Sequence, residues 1–163
     1  MPHTGSISVA VISNLSGTGA LSNAVDNLNK SFSVDLPNGT STGQANFRWA
    51  DLRTLNATSN EDLDLAGSLT GSLGGSIVFT RIKGLVLFAP ITNTGNLTVT
   101  RPAANGVPFF LAAGDGFTLT PGGLFVWSDP VGVTVTAGTG DLIHVDNATG
   151  SAQKYNVVII GTV

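Results

Sequence analysis

Cysteine is absent from the 163 residues, and the chain holds one glutamate, one tyrosine and two histidines. Each scarcity excludes some chemistry. Without cysteine there is neither a disulfide framework nor a thiolate metal site. Glycoside hydrolysis needs paired carboxylates in a cleft, which Glu61 and the scattered aspartates are poorly placed to supply. His3 lies near the start of the chain, and His144 sits between Ile143 and Val145 in a strand-like run, where a structural or surface role is expected. There is no Gly-x-Ser-x-Gly elbow, and no Gly-rich phosphate loop ends in Lys-Ser or Lys-Thr. The expectation is a protein that is not an enzyme and that uses no cofactor and no metal.

Charge is scarce as well. Asp, Glu, Lys and Arg make up 10% of the chain, against roughly 25% in ordinary soluble domains. The net charge of −3 is too small to argue for a nucleic acid, and no basic run is interleaved with aromatics. No side chain before Asp26 is charged, if His3 is neutral, and from Pro102 to Gln153 the only formal charges are acidic. No apolar run approaches the roughly 18 residues of a membrane span. Met1 to Ala10 has neither a basic n-region nor a long apolar stretch, so no secretory signal is expected there.

What the chain has in quantity is small uncharged polar residues. Gly, Ser, Thr and Asn fill 67 positions, beside a hydrophobic content of 42%. That is enough apolar material for one domain with a real core. A surface made of such groups costs less to desolvate than a charged one, so a partner can bury it readily.

Short runs rich in β-branched residues recur between Gly, Asn and Pro clusters, the pattern of an all-β domain. An antiparallel sandwich, jelly-roll-like or barrel-like and with little helix, is expected over residues 1–163, with 1–26 as an N-terminal arm or edge segment. Leu21, Val25, Leu28 and Phe32 have helical spacing, which points to a short helix or irregular turn although Asn23, Asn27 and Asn29 disfavour helix. Ile77 to Ala89 is the longest apolar run and is expected to form a central pair of strands broken near Lys83-Gly84. Phe117 to Thr120 and Leu124 to Trp127, joined by Pro121-Gly122-Gly123, suggest a hairpin. Val157 to Ile160 is apolar on both faces, as a central strand would be. Trp49 and Trp127, flanked by apolar residues at period two, are expected in the core.

Glu61, Asp62 and Asp64 form the one acidic cluster. It could hold a hard cation. Alternatively, Asp62 and Asp64 share a strand face and pair with Arg81 and Lys83, which share another, across a sheet or subunit boundary. The ion-pair reading is preferred. Six Asn-x-Ser/Thr sequons, among them the one starting at Asn147, are expected by chance in so Asn-, Ser- and Thr-rich a chain.

The segments Trp49-Ala-Asp-Leu-Arg-Thr-Leu55, Glu61-Asp-Leu-Asp-Leu-Ala-Gly67 and Phe79-Thr-Arg-Ile-Lys83 resemble a group of small structural proteins of tailed bacteriophages. Pro121-Gly-Gly-Leu-Phe125 and Thr136-Ala-Gly-Thr-Gly-Asp141 continue the resemblance in the same order, over residues 45–163. It implies a non-enzymatic virion component of the head-decoration, or cement, type. Such proteins are commonly β-rich and often trimeric, and sit where major capsid subunits meet. The implied partners are the chain itself, as a homotrimer, and a phage major capsid protein, with no nucleic acid and no membrane. The implied location is the capsid surface, after assembly in the host cytoplasm. The alternative is a tail or fibre β-sandwich that binds a host receptor or glycan.

Overall fold

Alternating apolar and small polar residues dictate extended chain almost throughout, and a computed structural model shows how the strands assemble. It describes residues 3–67, 69–72 and 74–163. Ten strands follow in order: β1 (Thr4–Thr18), β2 (Asn23–Pro37), β3 (Phe47–Leu55), β4 (Ser59–Asp64), β5 (Arg81–Phe88), β6 (Leu97–Thr100), β7 (Gly116–Leu119), β8 (Leu124–Thr134), β9 (Leu142–Asn147) and β10 (Gln153–Thr162). No helix occurs among the described residues. The expected all-β, sandwich-like fold is therefore found.

Two antiparallel four-stranded sheets, ordered β3-β10-β5-β8 and β4-β9-β6-β7, pack their apolar faces together. From β10, Tyr155, Val157 and Ile159 point inward and are fully buried. They meet Leu63, Ile143, Val145, Leu97 and Val99 of the second sheet in one continuous core. β10 is central, as its double-sided apolar run suggested.

Three local expectations are corrected. Residues 21–32 hold no helix: β2 starts at Asn23 and pairs with β1 over 15 residues, from Thr4↔Pro37 to Thr18↔Asn23. Cross-strand pairing with β1 outweighs the helical spacing, and the asparagines had already weakened helix. Ile77 to Ala89 yields one strand rather than two, with a bulge at Lys83 between Ile82 and Gly84. Finally, β7 and β8 do not form a hairpin, because β7 pairs with β6 and β8 pairs with β5. The Pro121–Gly123 turn instead carries the chain from one sheet to the other. Its Gly122 has φ +78°, and its backbone exchanges hydrogen bonds with Ala89. Phe117 and Phe125 stack 4.3 Å apart across that corner. Phe109 packs edge-on against Trp127, which is half-buried, whereas Trp49 is in the core as expected.

The similar turns at 112–116 and 136–141 do share one device. In each, an aspartate accepts from the N–H three residues earlier, Asp115 from Ala112 and Asp141 from Gly138.

A buried polar knot ties the end of the sandwich where β3, β9 and β10 meet. The Asn147 amide donates to the carbonyls of Leu55, Asn56 and Ser151, and its Oδ1 accepts from Thr149 N–H and Oγ1–H. Gln153 accepts from the N–H groups of Thr94 and Gly95. Both side chains are fully buried, so the sequon at Asn147 is closed to modification in the folded chain. Removing that amide strands several buried acceptors at once. Asn147→Ala should therefore cost about 2–4 kcal/mol in chemical denaturation. A loss below about 1 kcal/mol would mean that water replaces the amide.

Candidate interaction surface

Asp62 and Asp64 do share one face of β4, but the chain does not bring them to Arg81 and Lys83. β4 belongs to one sheet and β5 to the other. Asp62 instead meets His144, its neighbour in register on β9, with Oδ1 2.6 Å from Nδ1. Asp64 accepts from the Ala66 N–H at 2.9 Å, in the turn that ends β4. Arg81 donates to the carbonyls of Val131 and Gly132, each at 3.2 Å. Lys83 is 1% exposed and donates to the carbonyls of Ser41 and Gln44, at 2.5 and 2.6 Å. The two basic residues thus serve backbone oxygen, and the expected intrachain ion pairs are absent among the described residues.

The third acid of the cluster, Glu61, does have an ionic partner. Arg53 of β3 reaches across the sandwich edge to Glu61 of β4 through Nε and Nη2, and also holds Asp51 at 3.1 Å. The buried Tyr155 hydroxyl donates to Glu61 at 2.7 Å. Burial, and then the hydrogen bond to Glu61, push the Tyr155 phenol well above its ordinary range. A hollow of about 170 Å³ lies beside this cluster, lined by Trp49, Asp51, Arg53, Asp62, Leu63, Leu69 and Thr70. Its charged groups are already engaged: Arg53 with Asp51 inside the lining, and Asp62 with His144 beside it. Among the described residues no group of three or more His, Asp or Glu side chains could hold a metal ion. What this edge does chemically is fasten the two sheets.

The feature with no role inside the domain is the β1–β2 hairpin. Only its base is buried. Ile7 and Leu36 pack with Ala45 and Ile160 in a second, smaller core, joined by Val34, Val126 and Val158. Gly84 gives this seat room: a Cβ there would lie 2.3 Å from the Ile7 Cδ1, so the end of the Ile7 side chain would have to turn aside. The segment from Pro37 to β3 is fixed at the same place. Lys83 holds two of its carbonyls, Gly43 N–H donates to the Pro130 carbonyl, and Asn46 bonds the backbone of Val163. Beyond the seat, residues 8–18 and 23–33 project as a two-stranded arm about 35 Å long.

Register divides the arm into two unlike faces. One carries Val9 and Phe32, Val11 and Lys30, Ser13 and Leu28, Leu15 and Asp26 in successive cross-strand pairs. The other carries Ser8 and Ser33, Ala10 and Ser31, Ile12 and Asn29, Asn14 and Asn27, Ser16 and Val25. The first is an apolar stripe continuous with Ile7 and Val34, yet Leu15 is 71% and Phe32 65% exposed.

A second apolar surface adjoins the seat. On the outer side of the first sheet, Leu52, Asn156, Phe88 and Leu124 form one row, and Ala50, Val158, Val86 and Val126 the next. Leu52 and Leu124 are 55% and 62% exposed. The charges in the paired rows of this face are Arg48 and Lys154, both basic. Glu61 as the partner of Arg53, Lys83 as a mount and the amphipathic hairpin were missed in the sequence. A signal for the last was present: residues 7, 9 and 11 and residues 32, 34 and 36 alternate at period two on either side of the Gly19–Ser22 turn. No protein-family model matches the chain, and no curated protein matches it.

Two measurements follow. Tyr155 is the sole tyrosine, so tyrosinate absorbance reports it alone. A phenol raised in the folded state contributes stability that is complete below about pH 10 and lost as pH climbs further. The absorbance should therefore appear only as the chain unfolds at high pH; titration near pH 10 with near-ultraviolet dichroism intact would contradict the burial argument. Lys83→Met removes the ammonium from the seat but keeps an apolar stem. It should cost about 1–3 kcal/mol and speed amide exchange selectively between Gly39 and Asn46. Unchanged exchange there would show that the lysine is not what fixes the mount.

Proposed function

We propose that this chain is a non-enzymatic structural protein that works by covering surfaces: a virion component of a tailed phage, of the head-decoration type, acting as an oligomer on a lattice of major capsid protein. The observation that carries the reading is where the exposed apolar surface lies. Most of it lies on a projecting, firmly mounted arm and an open sheet face, both suited to contact another protein. A scarcity of charge supports the same reading, because little of the remaining surface resists desolvation. Several polar side chains that could carry chemistry instead hold the fold: Lys83 and Arg81 on carbonyls, Arg53 on Glu61, and Asn147 in the knot. The resemblance of residues 45–163 to small phage proteins supplies the particular setting.

A tail or fibre module that binds a glycan would need outward aromatic faces on which sugar rings could stack. Phe109, Phe110, Phe117, Phe125 and Trp127 instead pack against one another, four pairs edge-on and one stacked. The outward aromatics, Phe32 and Phe88, stand singly on apolar surfaces rather than together as a platform for sugar rings, which favours the decoration reading.

The test is co-sedimentation of the purified chain with tailed-phage capsids stripped of their decoration protein, beside a glycan array. The expected outcome is saturable binding at a fixed ratio to capsid subunits, with an increase in the temperature at which the capsid breaks. A chain that stays in the supernatant and binds glycans would overturn the decoration role in favour of the tail reading.

A further inference from the structure

The amphipathic arm poses a physical problem that the single chain does not solve. A two-stranded hairpin is at best marginally stable in water unless something covers its apolar face. This one is paired without a bulge for 15 residues on each strand and leaves the domain after Ile7 and Leu36, so its stripe does not turn back onto its own sheet. We infer that the apolar face of the arm docks on the outer face of the β3-β10-β5-β8 sheet of a second copy, so that copies exchange arms. The inference takes up the self-association part of the proposed function and assigns it to two named surfaces.

Three observations select a second copy as the occupant. The first is that the contact already exists in miniature. At the seat, Ile7, Val34 and Leu36 of the arm's apolar face pack on Ile160, Val158 and Val126 of that same sheet face. The exchanged contact repeats this chemistry with the next residues along each surface: Val9, Val11, Leu15, Leu28 and Phe32 against Leu52, Ala50, Phe88 and Leu124.

Charge is the second. The sheet face presents Arg48 and Lys154, while the arm face carries Lys30 and, nearer its tip, Asp26. The two charges of the stripe cancel, so Asp26 is the acid that can meet Arg48 or Lys154, with Lys30 lying clear of both. Area is the third. A face about 35 Å long and about 10 Å wide covers roughly 350 Å². Two exchanged arms on two sheets then bury roughly 1,400 Å² in all, within the range of stable protein interfaces. Each copy offers one arm and one acceptor, so an exchange that closes into a ring of two or three leaves no stripe uncovered.

Light scattering coupled to gel filtration, on the full chain without capsids, tests this. The native chain should run as a closed oligomer. L28S/F32S, on the arm's apolar face, and L52E/L124E, on the sheet face, should each run as a monomer. Every altered side chain is exposed, so far-ultraviolet dichroism should stay native and separate lost association from lost folding. Mixing the two variants should restore a heterodimer, since the second retains a sound arm and the first a sound sheet. I12S/V25S, on the polar face of the arm, should leave the oligomer intact. A monomeric native chain would overturn the inference. So would L52E/L124E remaining oligomeric, which would mean that arms pair with arms. Because no capsid is present, either failure leaves the co-sedimentation result to be judged separately.

Discussion

A lysine ammonium buried to 1% exposure would ordinarily be expelled or neutralised, since burial alone lowers its pKa. Lys83 is kept where it is by the carbonyls of Ser41 and Gln44, which face it from the chain segment returning from the hairpin. The bulge at Lys83 in β5 interrupts the pairing of that strand with β8. The next residue, Gly84, leaves the space into which Ile7 fits. Neighbouring residues on one strand therefore hold both legs of the hairpin: Lys83 by charge-assisted hydrogen bonds to the segment after β2, Gly84 by its missing side chain to β1. Arg81, two residues earlier, braces Val131 and Gly132, which lie in the stretch of β8 that bulges opposite Lys83 between Ser128 and Val133. Without this junction the arm would be a tethered strand pair rather than a projection of defined direction.

That arrangement divides stability unevenly. The sandwich is secured by its central core, by the Arg53–Glu61–Tyr155 edge, by the aromatic corner at Phe117 and Phe125, and by the Asn147–Gln153 knot. The arm has backbone pairing and a few polar contacts, such as Ser8 to Ser33 at 3.0 Å, but nothing over its apolar face. A region with few buried contacts opens at low free-energy cost even when the body beside it does not. In the proposed exchange, its order and its solubility become properties of the assembly. An exposed, long and partly apolar strand pair is also an aggregation hazard in a free monomer.

Strand character was legible in the sequence where alternation ran beside turn residues, as at β4 and β9, and in the double-sided apolar run of β10. It failed where two periodicities overlapped: residues 21, 25, 28 and 32 fit a helical spacing, while 28, 30, 32 and 34 fit a strand face interrupted by Lys30. The pairing partner, not the local pattern, decided between them. The hairpin expected at Pro121–Gly123 failed for a related reason, since a tight turn reverses direction equally well within a sheet and between two sheets. Ion pairing of Asp62 and Asp64 with Arg81 and Lys83 within one chain failed because facing within a strand is local, whereas sheet membership is a property of the whole topology. Asn147 carried no usable signal at all: a buried hub and a chance sequon have the same three letters.

The scarcity of charge acquires a physical meaning once the arm is considered with the body. A highly charged surface keeps a monomer soluble but penalises every close contact it makes, because each charge must be desolvated or matched. Here the arm's polar face consists largely of serine and asparagine, groups that can stay in water or accept a neighbour at small cost. Its other face needs cover, and the nearest chemically matched cover is a sheet that every copy possesses. Low charge and an uncovered stripe would be a liability in a protein that works alone. In one that works as a closed array they are two parts of a single solution, the first lowering the cost of approach and the second supplying the reason to stay.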